Sequence, residues 1–258
     1  FNKLTFNPLL SKLVIEEQRI DATNVGLTLV FSTIFSNSSI YRESKICSVS
    51  LAKDGKEIKT LTHKSEKYSH AEKLNGLIMS LFEGTDLELK DLDAIAVSEG
   101  PGSYTGLRIG TSSAKGFCYA MDIPLIAVNS LKALAASQVG KGYFICPMFD
   151  ARRMEVYSAI YDSELNELEA TRAVVVDDSS YSGHLKESKM IFLGPGAEKC
   201  QGIIEHDNAT FNIDQEVTAA SMITLSEKKF SNQDFVDLAY FEPFYLKDFI
   251  AGPPKKML

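Results

Sequence analysis

Two stretches near the start of the chain alternate apolar and polar residues, and the period then lengthens. Val25, Leu27, Leu29 and Phe31 alternate with polar or small neighbours, which reads as a strand or as sequence foreign to the domain that follows. Residues 46–52 alternate as a half-buried strand does. Lys53-Asp54-Gly55-Lys56 has hairpin-turn chemistry, and residues 57–62 make the returning strand. Ser69 stands three positions before Glu72, a capping box that opens a helix. Behind it Ala71, Leu74, Ile78, Leu81 and Phe82 recur at helical spacing. Residues 94–98 form a short apolar strand that runs into Gly100-Pro101-Gly102-Ser103-Tyr104-Thr105-Gly106 and then a helix to about residue 121. A strand at 125–128, Ser130 as a cap and a helix over 131–139 complete a strand–helix alternation. That order predicts an α/β domain whose sheet is largely parallel beyond the opening hairpin.

Gly140-Lys141-Gly142 is the candidate domain boundary. Beyond it, residues 143–149, 154–161 and 173–176 are strand-like, and 190–193 lead into Gly194-Pro195-Gly196. A strand followed by Gly-Pro-Gly thus occurs twice, a hint of two similarly wound lobes. A helix over 218–230 and the tail Pro243-Phe244-Tyr245-Leu246-Lys247 close the chain. The organisation expected is an atypical segment over 1–45, an N-terminal lobe over 46–140 and a C-terminal lobe over 141–258, with the last helix packing back on the first lobe.

Charge narrows the function classes. With 27 Lys and Arg against 34 Asp and Glu the net charge is −7, so the chain as a whole is poorly suited to grip a nucleic-acid backbone. A basic patch within it, or a basic partner, would have to do so. Cys47, Cys118, Cys146 and Cys200 form no C-x-x-C or C-x-x-H pair and mostly lie in apolar stretches, as buried thiols of a reducing compartment do. His63, His70, His184 and His206 make no H-x-x-x-H pair, so no metal site is expected. The chain begins at Phe1. Residues 22–41 carry no charge but hold too many Ser, Thr and Asn for a membrane span, and Glu16, Glu17 and Asp21 spoil a secretion signal.

Several short patterns suggest chemistry. The glycine-rich turn places Gly100, Gly102 and Ser103 between a strand end and a helix N-terminus, where amides can hold a phosphate. Leu107 after Gly106 rules out a Walker loop, and the same glycines serve equally for a tight turn and close packing. Ser112-Ser113-Ala114-Lys115 contains S-x-x-K without its companion elements, a chance match. His70 with Glu72 could form an acid–base or metal pair, but residues two apart point to different sides of a helix, and the pair reads as polar residues at its start. Asp150-Ala151-Arg152-Arg153 joins two strands and could hold an anion or a carboxylate, with an internal Asp–Arg pair that fixes the connection as the structural reading. Gly106, Gly110, Ser113 and Ala114 beside Phe117 give a helix surface of small side chains, suited to close packing inside the core or at an interface.

Ser98-Glu99-Gly100-Pro101-Gly102-Ser103-Tyr104-Thr105-Gly106-Leu107-Arg108-Ile109-Gly110 resembles the signature segment of the TsaB (YeaZ) family. The likeness continues in order through Cys47-Ser48-Val49-Ser50-Leu51, Ser69-His70-Ala71-Glu72, Ala114-Lys115-Gly116 and Ile123-Pro124-Leu125. It resumes at Asp150-Ala151-Arg152-Arg153, Gly194-Pro195-Gly196-Ala197-Glu198 and Tyr245-Leu246. It departs at the first strand, where Ile40-Tyr41-Arg42-Glu43-Ser44-Lys45 matches the family's acidic opening only loosely.

The resemblance implies an actin-like (ASKHA) fold of two related α/β lobes. It also implies a non-catalytic subunit, cytoplasmic and not membrane-bound. Such a subunit binds and activates the TsaD transferase in threonylcarbamoyl modification of the tRNA adenosine next to the anticodon. TsaD carries a metal-binding histidine pair one helical turn apart; His70 takes the first place here and Leu74 the second, which leaves no clamp. Ala71, Leu74, Ile78 and Leu81, with Gly106, Gly110, Ser113, Ala114 and Phe117, are then the expected partner-binding residues. A TsaE ATPase would join the pair, a homodimer would form when TsaD is absent, and tRNA would be met indirectly through the complex. No cofactor of its own is expected, with ATP or ADP at the interface and Gly100, Gly102 and Ser103 as nucleotide contacts. The alternative is an independent peptidase-like or sugar-kinase-like enzyme of the same fold.

Overall fold

The computed structural model describes residues 26–37, 43–65 and 70–247, with side chains over 26–32, 46–64 and 73–247. In the first lobe the strands are β1 (Leu27–Asn37), β2 (Glu43–Lys53), β3 (Lys56–Ser65), β4 (Ala94–Gly100) and β5 (Leu125–Asn129). Helix α1 (His70–Phe82) follows the hairpin, α2 (Tyr104–Met121) follows β4, and the short α3 (Ser130–Ala135) follows β5. The second lobe holds β6 (Phe144–Asp150), β7 (Glu155–Tyr161), β8 (Glu167–Val175), α4 (Ser182–Glu187), β9 (Met190–Leu193) and β10 (Ala209–Asn212). Helix α5 (Ile223–Ser231) comes last.

The two sheets share one plan. Their strand orders are β3-β2-β1-β4-β5 and, written from the equivalent edge, β8-β7-β6-β9-β10. In each, the first strand is central, with an antiparallel hairpin on one side and two parallel strands on the other. The Gly-Pro-Gly turns follow β4 and β9, equivalent strands, so the repeated motif marks a repeated architecture.

One expectation needs correction. The sequence pattern places 27–37 in an atypical stretch outside the first lobe, whereas in the structure it is the central strand of that lobe's sheet. Leu27, Leu29 and Phe31 enter the core beneath α1 and α2, whereas Val30 enters the core shared with the second lobe. Thr28 and Ser32, the polar members of the alternation, are buried as well, so the strand lies inside although its pattern is that of a half-exposed one. The Leu27 amide also donates to the Asp93 carboxylate at 2.7 Å, tying the start of β1 to the entry of β4. Residues 1–25 lie outside the described residues.

Elsewhere the local chemistry carries through. Asp54 and Gly55 both adopt positive φ (59° and 68°), as a two-residue hairpin turn requires. The helix expected over 131–139 splits into α3 and a 3-10 turn at Ala136–Gln138, and α4 and β10 were not foreseen. Ser69 and its capping box lie outside the described residues. Three apolar cores organise the molecule. One lies under α1 and α2, a second fills the seam between the sheets around Leu131, Leu134, Phe149 and Tyr161, and a third lies in the second lobe under α4.

Candidate functional site

The turn after β4 is built by close approach. Gly100 has φ +114°, and a Cβ there would lie 2.7 Å from the carbonyl oxygen of Phe244, so only glycine fits. The Gly100–Pro101 bond is cis. Ser103 caps α2: its hydroxyl accepts from the Gly106 amide at 3.4 Å, and its carbonyl accepts from the Leu107 amide at 2.9 Å. These two amides of the first turn are therefore used inside the chain. Gly102 is half-buried, with ordinary clearance of 3.8 Å from its Cβ position to Leu107.

What crosses Gly100 is the chain's own tail. The Phe244 amide donates to the Glu99 carbonyl at 2.7 Å, and the Tyr245 ring lies 5.0 Å from that of Tyr104. Lys115, on the flank of α2, donates to the carbonyls of Ala239 and Phe241 at 3.1 Å each. The Val236 amide donates to the Leu125 carbonyl at 3.0 Å, and Val236, Leu238 and Phe241 pack on the first core. Lys115 is thereby occupied, so the S-x-x-K match holds no catalytic pair.

Beside this crossing a cavity of about 660 Å³ opens between the lobes. Glu99 and Asn129 at the ends of β4 and β5 line it, with Glu167 and Thr171 of β8 and Glu242 and Phe244 of the tail. Burial pushes the Glu99 carboxyl up, partly offset by Lys229 and by a hydrogen bond from Asn129. Three carboxylates with no lysine or arginine in the lining give the wrong sign for an uncompensated phosphate.

The expected partner-binding residues divide sharply. Leu74, Ile78 and Leu81 are fully buried in the core between α1 and the sheet, and Gly106, Gly110 and Ala114 are buried along α2. They hold the helices down and are not docking surface in this chain, which corrects the expectation. Ser113 and Phe117 are half-buried, and Phe117 lies 6.3 Å from the Phe31 ring in a tilted contact. The side chain of Ala71 lies outside the described residues, as do those of His70 and Glu72. The faces that α1 and α2 turn outward are different ones. Met79 is 57% exposed and Tyr119 84% exposed, with Lys73, Gly76, Arg108, Ser112 and Gly116 also exposed. A Cβ on Gly116 would meet nothing within 4 Å. These residues sit off the apolar stripe, where the sequence offered only their helical phase as a signal.

The other candidate groups are structural. Asp150 pairs with Lys199 at 2.5 Å rather than with an arginine, another correction. Arg152 and Arg153 are exposed at the hairpin tip. All four cysteines are buried free thiols. Desolvation pushes Cys47 and Cys200 up to about 11 and Cys118 up to about 12, and raises Cys146 well above the ordinary range. Such thiols keep their proton at neutral pH and are poor nucleophiles. Ser98 and Ser130 share a buried hydroxyl–hydroxyl hydrogen bond of 2.5 Å. Among the described residues no group of three or more His, Cys, Asp or Glu could hold a metal ion, and no helix is long and apolar enough to cross a membrane.

Comparison with known proteins places this architecture. A family model described as TsaD, tRNA N6-adenosine threonylcarbamoyltransferase, matches residues 63–251. The chain belongs to this family. Within the TsaD family its likeness is to proteins named TsaB. It is 35% identical over 142 residues to the tRNA threonylcarbamoyladenosine biosynthesis protein TsaB of Bacillus subtilis, covering 54% of this chain and 62% of that one. To TsaB of Escherichia coli it is 26% identical over 219 residues, 81% of this chain and 93% of the relative. The chain thus spans somewhat under two thirds of the Bacillus relative and nearly all of the Escherichia one. The solved structure of YeaZ from Pseudomonas aeruginosa superposes with a TM-score of 0.67 at 23% identity, covering 86% of this chain and all of that one. That likeness is of fold: two lobes, each a five-stranded mixed sheet flanked by helices.

Proposed function

We propose that this chain is a non-catalytic subunit in threonylcarbamoyl modification of tRNA, which binds and activates a TsaD-type transferase. The observation that carries the reading is the ordered likeness to relatives named TsaB, which extends over nearly the whole Escherichia protein. The fold supports it in two ways. Its glycine-rich turn is filled by the chain's own tail, and its buried thiols are held protonated. Neither feature suits a peptidase or a phosphotransferase acting alone.

The partner surface is the outward face of α1 and α2, centred on Met79, Gly116 and Tyr119, with Ser113 and Phe117 at its margin. Two adjacent helices with buried inner stripes form a rigid platform, and large exposed Met and Tyr side chains beside an open glycine suit a packed helical interface. The transferase supplies the chemistry, and this chain supplies surface that orders it. A nucleotide, ATP or ADP, sits between the two subunits, a TsaE-type ATPase docks on the pair, and the chain pairs with itself when the transferase is absent. The assembly is cytoplasmic, and tRNA meets it through the complex.

Light scattering on this chain, on its TsaD-type partner and on their mixture tests the reading. A heterodimer is expected for wild type and is lost in Met79→Glu, Gly116→Arg and Tyr119→Glu, each with an unchanged melting temperature. Threonylcarbamoyl transfer to tRNA should need both proteins. A folded wild-type chain that forms no complex and leaves the transferase rate unchanged would falsify the proposal.

A further inference from the structure

The hairpin joining β6 to β7 turns on two arginines in a backbone conformation that arginine seldom adopts. Arg152 has φ +72° and Arg153 φ +52°. The Glu155 amide donates to the Arg152 carbonyl at 3.2 Å, which makes Arg153 the first central residue of the turn. Hairpins that need positive φ at such places use glycine, asparagine or aspartate, because a Cβ is strained there.

The turn is held in place from below. Arg152 donates its amide to the Asp150 carboxylate at 2.8 Å, and Ala151 donates its amide to the Glu155 carbonyl at 3.0 Å. Lys199 donates to the carbonyls of Arg153 and Glu155 at 2.8 and 2.6 Å while pairing with Asp150. The carboxylate of Glu155 is taken by Lys247. Both carboxylates at the tip therefore already have a lysine. Arg152 and Arg153 are exposed, and among the described residues neither has a carboxylate partner. Two uncompensated guanidinium groups thus stand side by side on a chain whose net charge is −7.

We propose that the Arg152–Arg153 tip is a phosphate contact for an RNA backbone. The proposal rests on the tRNA reading above and adds a direct contact to it. Guanidinium forks match phosphate oxygens, and contacts of this kind position a nucleic acid without reading its sequence. A docked protein would want a contiguous apolar centre, whereas Met154 and Val175 are exposed only as single side chains beside the tip. A turn needed only for its shape would be served better by Asn and Gly, so the two arginines are explained by what their side chains reach.

The decisive variant is Arg152→Asn with Arg153→Gly, which removes both charges and relaxes the backbone. Its melting temperature is expected to equal or exceed that of wild type, and it should still form the complex with the transferase. Binding of an unmodified tRNA transcript to that complex, followed against KCl concentration, should weaken about tenfold at 0.1 M salt. The slope of log K against log salt should become shallower by about 1.5. Arg152→Lys with Arg153→Lys should restore the slope. Unchanged affinity and slope in the Asn–Gly variant would overturn the proposal. So would a loss of transferase binding with an intact tRNA slope, which would make the tip a protein contact. If the wild-type chain forms no complex, the same titration on the chain alone decides: a salt slope lost in the variant supports the tip, and no slope overturns it.

Discussion

The two lobes carry the same five-stranded sheet in the same order and differ in what covers it. In the first lobe the hairpin and the Gly-Pro-Gly turn are followed by helices of 13 and 18 residues. In the second the equivalent positions lead to a helix of 6 residues and a 3-10 turn of 3. The sheet is the inherited frame, and the helices are where the lobes were specialised. The long helices of the first lobe turn an outward face to solvent, with Met79 and Tyr119 exposed on it. The second lobe spends its few helical residues on closing its own core.

The Gly-Pro-Gly turns show the same contrast at atomic scale. The first glycine of each has positive φ and no room for a Cβ. The third differs: a Cβ on Gly196 would lie 2.7 Å from the Phe149 backbone, whereas one on Gly102 clears Leu107 by 3.8 Å. The second lobe's turn is sealed against its own sheet, and the first lobe's turn is left to be covered by the tail.

The largest effect expected from pressing on this contrast is at the second lobe's clamp. Lys199→Met leaves the Asp150 carboxylate, 12% exposed, without its cation, and should cost about 3–5 kcal/mol in denaturant unfolding. Lys115→Met, which frees only two tail carbonyls, should cost about 1 kcal/mol. Equal costs would mean that the tail is as deeply tied as the hairpin.

Next in size, Gly196→Ala should destabilise by about 1–3 kcal/mol through overpacking against backbone. Gly102→Ala, the equivalent change in the first lobe, should stay within about 0.5 kcal/mol. A reversed order would break the comparison of the two turns.

The smallest effect at neutral pH comes from the thiols. Folding raises Cys47 to about 11 and Cys118 to about 12, from an ordinary value of about 8.5. Below pH 8 both the folded and unfolded chains keep these protons, so the thiols add no pH dependence. Between about pH 9 and 11 the unfolded chain sheds protons that the folded one retains, and stability falls as pH rises. Unfolding midpoints measured from pH 7 to 10.5 should be level and then decline, and Cys47→Ala with Cys118→Ala should make that decline shallower, with Cys146 and Cys200 keeping the rest. An alkaline decline unchanged in the double variant would assign it to other groups.

Much of the frame was legible in the sequence, because hairpin turns, strand runs and glycine turns are local signals. Asp54-Gly55 gave away the first hairpin, and the two Gly-Pro-Gly segments gave away the repeat of lobes. The proposed docking face was not legible from the apolar stripe. A helix on a sheet has one such stripe, and the sheet claims it, so Leu74 and Ile78 are core by the same pattern that would suit an interface. Met79 and Tyr119 stand on the opposite face, where a single sequence offers no period to follow. The partner of Asp150 was missed for a different reason: Lys199 is distant in the chain, and the adjacent arginines were the nearer cations. Residues 40–45 fit the family's opening poorly and so hide the central strand, whose burial the fold requires.

The tail over Gly100 has a mechanical consequence. A two-lobed protein joined by one linker can swing open like a book. Here the chain passes from the first lobe to the second near Gly140 and returns to the first lobe with α5, which packs on β1, β3 and β5. It runs on from Val236 with Lys115 and Glu99 as its anchor points. The book is therefore strapped shut, and parting the covers requires the strap to be undone first. Opening would have to part the buried seam around Leu134 and Phe149 as well as free residues 236–245, so the strap reinforces a joint that is already packed.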